Sequence, residues 1–106
     1  MPTQEQQVFA ALADKTRRDL LRLLAREELP VHALAARFEI SRPAISRHLK
    51  LLQNAGLVEC HPQGRENVYR FNPLPLKLVQ DWSELLSGYW AERLGALQEL
   101  AREEQP

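Results

Sequence analysis

Hydrophobic residues in the first third of the chain recur at helical spacing, and capping residues divide them into segments. Thr3 with Gln6 forms a capping-box pattern, which predicts a first helix through "VFAALA" to about residue 13. Asp14 is suited to cap a second helix, in which leucines at 20, 21, 23 and 24 form the apolar side. Pro30 opens a short third helix, "VHALAARF", which the turn "EIS" ends.

The fourth helical segment has the clearest boundaries. Ser41 is a favourable N-cap, and Pro43 lies in the first turn, where a missing amide proton costs no helical hydrogen bond. Gly56 follows the segment and can take the left-handed conformation that ends many helices. We therefore predict a helix from Ser41 to about residue 55.

The spacing of apolar residues then changes to that of β-strands. "LVECHPQ" and "ENVYRFN" predict a hairpin with Gly64 and Arg65 at its tip. "NPLP" interrupts the chain, and a helix of nearly thirty residues is predicted beyond it. The order predicts one mainly α domain over 1–106 with a small β-hairpin, a winged helix-turn-helix. Its helix-turn-helix covers about 30–56, its wing about 57–72, and its last helix about 75–104.

The predicted last helix carries more apolar surface than one core contact needs. One stripe contains Leu78, Trp82, Leu85 and Tyr89, and the other contains Val79, Leu86, Trp90, Leu94 and Leu97. We expect one stripe to cover the protein's own core and the other to meet a second chain, because soluble monomers seldom expose such patches. Gly88 and Gly95 either permit close approach of a partner helix or are tolerated helix weaknesses.

The two sides of the fourth helix differ in chemistry. At about 100° per residue, Ile45, Leu49 and Leu52 share one side, with His48 at its edge. The opposite side contains only basic or neutral residues: Arg42, Pro43, Ser46, Arg47, Lys50 and Asn54. Arginine can bind guanine through two hydrogen bonds, and a basic face suits DNA. A helix that merely faces solvent is the alternative interpretation, but such faces usually mix charges of both signs.

Composition and charge agree with a compact DNA-facing domain. Net charge is zero, yet residues 37–70 hold six basic and three acidic groups, whereas residues 71–106 hold three and six. The chain has no apolar run long enough to span a membrane, no secretory signal pattern, and one cysteine, which together predict a cytoplasmic protein. Cys60 is interpreted as a half-buried strand residue, with a redox role as the alternative.

Neither catalytic nor metal-binding patterns stand out. No Ser-His-Asp or Cys-His arrangement and no phosphate loop is present, so we predict neither enzymatic activity nor a cofactor. Zinc needs three or four donors close together. His32 is the only soft donor in the third helix, and Cys60 and His61 would point to opposite faces of a strand.

Three segments resemble the ArsR-type winged-helix transcriptional repressors. They read "ALADKTRRDLLRLL", "ALAARFEISRPAISRHLKLLQNAGLVE" and "GRENVYRFNP", and the similarity spans roughly residues 8 to 97. The resemblance implies a homodimer that binds a palindromic operator on double-stranded DNA and represses transcription. Many members of the family sense metals, but the motifs that would do so are absent here, so the resemblance is to members without metal sensing. Nothing in the sequence identifies an effector.

The resemblance also implies roles for individual residues. The residues expected at DNA are Arg42, Pro43, Ser46, Arg47, His48 and Lys50 in the recognition helix and Arg65 in the wing. Those expected at the dimer interface are Phe9, Leu78, Trp82, Leu86, Tyr89, Trp90 and Leu94. His48 is either a base-reading or a structural residue, and Arg17 and Arg18 either touch phosphate or form internal salt bridges. A winged helix used for protein–protein contact is the alternative function.

Overall fold

Five helices and a small sheet form the computed structural model, which describes residues 1–103. In chain order the elements are α1 (Gln4–Leu12), α2 (Lys15–Leu24), β1 (Leu29–Pro30), α3 (Val31–Ala35), α4 (Arg42–Asn54), β2 (Val58–Gln63), β3 (Glu66–Phe71) and α5 (Leu76–Glu103). Helices α3 and α4 form the helix-turn-helix, and β2 and β3 form the wing. The predicted winged helix-turn-helix is therefore confirmed.

The helix caps are formed by the side chains that the sequence predicted. Thr3 Oγ1 accepts from the Gln6 amide at 3.1 Å, and the Gln6 side chain accepts from the Thr3 amide at 2.9 Å, which completes the capping box. Asp14 and Ser41 each accept a hydrogen bond from the amide three residues later, at 3.0 and 3.2 Å. Each bond satisfies an amide donor that the helix itself leaves unpaired.

The sheet has three strands rather than the predicted two. Its order is β1-β3-β2, and both pairings are antiparallel. Strand β1 places Leu29 opposite Tyr69 and Pro30 opposite Val68, directly before α3. This strand ties the start of the helix-turn-helix to the wing. Helix α3 is also shorter than predicted. It ends at Ala35, and a turn follows.

The core lies where α1, α2, α3 and α4 meet the sheet. Seven side chains are almost completely buried: Val8, Leu20, Leu34, Ile45, Leu49, Leu52 and Leu57. Three of these come from α4, so the helix with the basic outer side is fixed to the core by its inner side. Burying one such side chain stabilises a protein by about 1.5–3 kcal/mol.

Helix α5 departs from the sequence-based prediction in how it packs. Only its first turns contact the body of the protein: Leu76, Leu78 and Val79 pack against the core, and the Trp82 ring lies 5.7 Å from Phe9 at an edge-to-face angle. From Asp81 to Glu103 every residue is exposed. The prediction that one stripe covers the core was wrong, because the body of the protein extends only along the first turns of α5.

The projecting helix determines the shape of the molecule. The Cα radius of gyration is 19.6 Å, whereas a compact domain of 100 residues has about 13 Å. The molecule measures 73 × 30 × 22 Å, and a helix of 28 residues accounts for about 42 Å of that length at 1.5 Å per residue. Among the described residues, no helix combines the length and the hydrophobicity that crossing a bilayer requires.

Candidate nucleic-acid interface

The outer side of α4 is exposed and free of carboxylates. Arg42, Pro43, Ser46, Arg47, Lys50 and Asn54 are all exposed, as the helical spacing predicted. Within residues 1–103, none of the basic residues on this side forms an ion pair. Their charges are therefore available to an external anion, and Ser46 and Asn54 add neutral hydrogen-bonding groups between them.

The wing supplies a second cationic position. Gly64 takes a φ of +65° at the two-residue tip, which L side chains rarely adopt, and Arg65 follows it in an exposed position. A cleft of about 250 Å³ lies between the wing, α3 and the start of α4. Arg42 and Arg65 both line it. The cleft thus brings together a residue of α4 and a residue of the wing that are 23 positions apart.

His48 lies at the boundary between the outer side of α4 and the core. Its side chain is 22% exposed. Its Nδ1 atom lies 3.2 Å from Arg17 Nη1 and 3.9 Å from an Asp14 carboxylate oxygen. Because a guanidinium can only donate, Nδ1 is the acceptor and the ring proton of the neutral histidine lies on Nε2. The geometry gives His48 a structural contact and leaves part of its ring accessible.

Within residues 1–103, neither Arg17 nor Arg18 forms the internal salt bridge considered from the sequence, and contact with phosphate stays a prediction. Arg17 donates to the carbonyl oxygens of Ala11 and Ala10 at 2.8 and 3.0 Å, and Arg18 donates to that of Leu12 at 2.7 Å. These carbonyls belong to the last turn of α1, where helical hydrogen bonding is incomplete. Both arginines therefore join α2 to α1, and Arg17 extends that connection to His48 in α4.

The residues considered for metal or redox chemistry lie apart. Within the described residues, no group of three His, Cys, Asp or Glu side chains is arranged to hold a metal ion. Cys60 is half-buried in β2, opposite Tyr69 in β3. Burial raises the pKa of Tyr69, and the neighbouring Cys60 adds to this effect. His32 contacts the Glu66 carboxylate in the wing, and no third donor is grouped with this pair among the described residues.

The residues predicted for the dimer interface fall into two groups. Phe9 and Leu78 are half-buried in the protein's own body. Trp82, Leu86, Tyr89, Trp90 and Leu94 are exposed along α5, by 39% to 67%. Gly88 and Gly95 lie on the opposite side of the helix from Trp82 at 100° per residue, and a Cβ atom at either would meet nothing within 4 Å.

The contact between His32 and Glu66 was missed by sequence reasoning. His32 was considered only as a metal ligand, and Glu66 only as part of the hairpin. The two residues are 34 positions apart and adopt different secondary structures, so no periodic pattern relates them. Only the fold of the wing against α3 brings them together.

Comparisons with known proteins all show similarity to bacterial transcriptional regulators. The sequence profile described as "Bacterial regulatory protein, arsR family" matches residues 14–59. The chain is 41% identical over 86 residues to the HTH-type transcriptional regulator Rv2034 of Mycobacterium tuberculosis, covering 76% of this chain and 80% of that protein. It is 36% identical over 75 residues to the transcriptional repressor SdpR of Bacillus subtilis, covering 71% and 83%.

A solved structure extends the similarity to the whole fold. The ArsR-like transcriptional regulator from Rhodococcus sp. RHA1 superposes with a TM-score of 0.80 at 37% identity. The alignment covers 96% of this chain and 94% of that one, so it includes the long last helix as well as the winged helix.

Proposed function

Because the chain belongs to the ArsR family of bacterial regulatory proteins, whose members bind DNA and regulate transcription, we propose that it is a sequence-specific homodimeric repressor. The observation that carries this proposal is the outer side of α4, where three cationic side chains are exposed without a carboxylate partner among the described residues. Polyanion binding derives most of its affinity from such groups.

In this proposal α4 enters the major groove. Arg47, Ser46 and Arg42 contact base edges, and Lys50 and Arg65 contact the backbone. The proposed base contact of Arg47 is supported by its position in the second turn, directly opposite the buried side of α4. Pro43 packs close to the DNA surface at the start of the helix, and His48 contributes from the edge of the face through its ring N–H.

We propose that α5, with α1, forms the interface between two subunits. Its exposed side chains include two tryptophans, at 48% and 67% exposure, and removing such rings from water is strongly favourable. A two-fold dimer would present two α4 helices, so the operator should be palindromic, with half-sites one helical turn or a multiple apart. We propose no metal sensing, because no three His, Cys, Asp or Glu side chains among the described residues are grouped as a metal site requires.

The test is a fluorescence-anisotropy titration with DNA from upstream of the protein's own gene and with random duplex. Arg47→Ala should weaken binding to the operator by about 1–3 kcal/mol, roughly five- to 150-fold, and affect random DNA much less. Arg22→Ala is the matched control, because it removes an exposed arginine of α2 that is ion-paired with Asp19. Operator affinity should also fall steeply between two salt concentrations.

Other results would redirect the proposal. Equal affinity for upstream and random DNA would mean that the operator lies elsewhere, and other promoter fragments would then be screened. Absence of binding to any duplex at low salt would overturn DNA binding. The protein–protein winged helix would then be the better explanation of the basic side of α4.

A further inference from the structure

The outer half of the wing, residues 61–67, extends past the strand that supports its inner half. Strand β1 is two residues long and pairs only with Tyr69 and Val68 of β3. Pro30 ends β1 and has no amide proton with which to continue the pairing. Beyond this point β2 and β3 pair only with each other. The outer half is therefore a two-stranded ribbon, which is marginally stable without further contacts.

One polar contact connects this ribbon to the helices. His32 Nε2 in α3 lies 2.6 Å from the Oε1 atom of Glu66, the first residue of β3. In the described part of the chain, no other side-chain hydrogen bond or ion pair joins residues 61–67 to a helix. Both side chains are about half exposed, at 56% and 51%. A pair this exposed adds little to overall stability, so its main effect is on the position of the ribbon.

The position of this pair is significant because it borders the cleft that Arg42 and Arg65 line. Glu66 carries the same sign of charge as a DNA phosphate and directly follows the wing-tip arginine. Its charge alone would weaken the binding of a polyanion to this cleft. A carboxylate at this place favours DNA binding only if the benefit of positioning the wing is larger than the repulsion between the carboxylate and the DNA phosphates.

We propose that His32 and Glu66 are positioning residues that hold the outer wing against α3, so that Arg65 lies across the cleft from Arg42 and both contact the DNA backbone. This inference rests on the proposed DNA binding. It has a consequence opposite to simple electrostatics: truncating the Glu66 side chain, which removes the contact with His32 together with a negative charge, should weaken DNA binding. Without the contact, the outer wing is mobile in the free protein. Fixing it when Arg65 binds DNA then costs conformational entropy, which lowers the affinity.

The first experiment compares Glu66→Ala with the wild type by the same anisotropy titration. Affinity should fall by about two- to fivefold, the range that corresponds to one exposed ion pair. His32→Ala should have an effect of similar size, and the double variant should be no weaker than either single one. Arg65→Ala should cost less affinity in the Glu66→Ala background than in the wild type. Tighter or unchanged binding by Glu66→Ala would overturn the inference.

Two further variants distinguish the effect of the position of the outer wing from the effect of the charge of Glu66. Glu66→Gln keeps an oxygen that accepts from His32 while removing the charge, so it should bind DNA at least as well as the wild type. Glu28→Ala is the matched control, because it breaks a pair of the same 2.6 Å length with Arg70 at the inner end of the same strand. It should leave DNA affinity equal or slightly higher. A loss of affinity in Glu28→Ala equal to that in Glu66→Ala would contradict a specific role.

A measurement on the free protein tests, without DNA, whether the contact between His32 and Glu66 holds the outer wing in position. Amide hydrogen exchange of residues 61–67 should be faster in Glu66→Ala than in the wild type, while exchange in α4 should not change. Equal exchange rates in the wing of Glu66→Ala and the wild type would overturn the positioning role even if DNA binding were normal. If the wild type bound no duplex, the proposed function and the DNA part of this inference would both fail, and amide exchange would still decide whether the contact holds the wing.

Discussion

At the scale of single residues, Asp14 stabilises the start of α2 with its side chain. The carboxylate accepts from the Arg17 amide at 3.0 Å. That hydrogen bond, together with the charge of Arg17, holds the pKa of Asp14 below its ordinary value of 3.8, although partial desolvation opposes the effect. Because the folded-state pKa is lowered, the stabilisation is present above about pH 4 and is lost as the pH falls below it.

Substitution of Asp14 should therefore separate capping from charge. Asp14→Ala should lower the free energy of unfolding by about 1 kcal/mol at pH 7, because a helix amide loses its partner. Asp14→Asn should retain most of the cap but remove its share of the pH dependence. Urea unfolding at pH 7 and at pH 3 measures both. A difference between wild type and Asp14→Asn that does not shrink at pH 3 would contradict this account.

At the scale of elements, the junction between α4 and β2 depends on Gly56. Its φ is +80°, and its amide donates to the Gln53 carbonyl at 2.9 Å. A Cβ atom here would lie 3.1 Å from Gln4 Nε2 and 3.4 Å from Pro75 Cγ. The residue therefore reverses the chain after α4 at a point where α1 and the segment before α5 also approach.

Gly56→Ala should destabilise the fold by about 1–2 kcal/mol, because the left-handed conformation is unfavourable for alanine and the contact with Gln4 adds to that cost. Gly64→Ala is the comparison, since its φ is +65° but a Cβ atom would meet nothing within 4 Å. Thermal unfolding should show a larger loss for Gly56→Ala. Equal losses would mean that the crowding around Gly56 has no energetic effect.

Elements defined by local signals were predictable, and those defined by tertiary contacts were not. The caps at Thr3, Asp14 and Ser41 and the glycine after α4 mark helix boundaries within a few residues, so these helices could be predicted from the sequence. Strand β1 could not, because two residues carry no periodic pattern and exist as a strand only beside β3. The basic side of α4 followed from spacing, but the contacts of Arg17 and His32 required the fold.

At the scale of the whole molecule, the exposed part of α5 would link helix formation to subunit pairing in the proposed dimer. An isolated helix of about 20 residues is only marginally stable in water, and most helical stability in proteins comes from packing. Periodicity predicted the apolar stripes correctly, but it could not predict that neither stripe would meet the core beyond Trp82. In the proposed dimer, the partner subunit supplies the packing that the body does not.

Trp90→Glu should therefore disrupt the dimer. Truncation of a central tryptophan commonly costs 2 kcal/mol or more, so the dimer dissociation constant should rise at least about thirtyfold. Gln98→Glu adds the same charge on the polar side of α5 and should leave the dimer intact. Analytical ultracentrifugation measures both. A monomeric wild type at micromolar concentration would contradict the proposed dimer.

The same measurement tests the two interpretations of the glycines in α5. Gly88→Ala combined with Gly95→Ala should increase helicity by circular dichroism, because alanine is favoured over glycine by about 1 kcal/mol per site in a helix. Since both glycines lie opposite Trp82, we expect the dimer to persist. Dissociation of this double variant would instead support close approach of a partner helix at that side.

The separation of most of α5 from the core has a consequence for the order of folding. In the described chain the last fully buried residue is Pro75, and only the half-buried Leu76, Leu78 and Val79 of α5 add to the core, so the fully buried side chains have all been synthesised before α5 begins. Nascent chains fold from the N-terminus as they are made. The body can therefore fold as a single chain, and in the proposed dimer two folded bodies can then meet through their helices without exchanging segments. Refolding should accordingly show a fast phase independent of protein concentration, followed by a second phase whose rate increases with it.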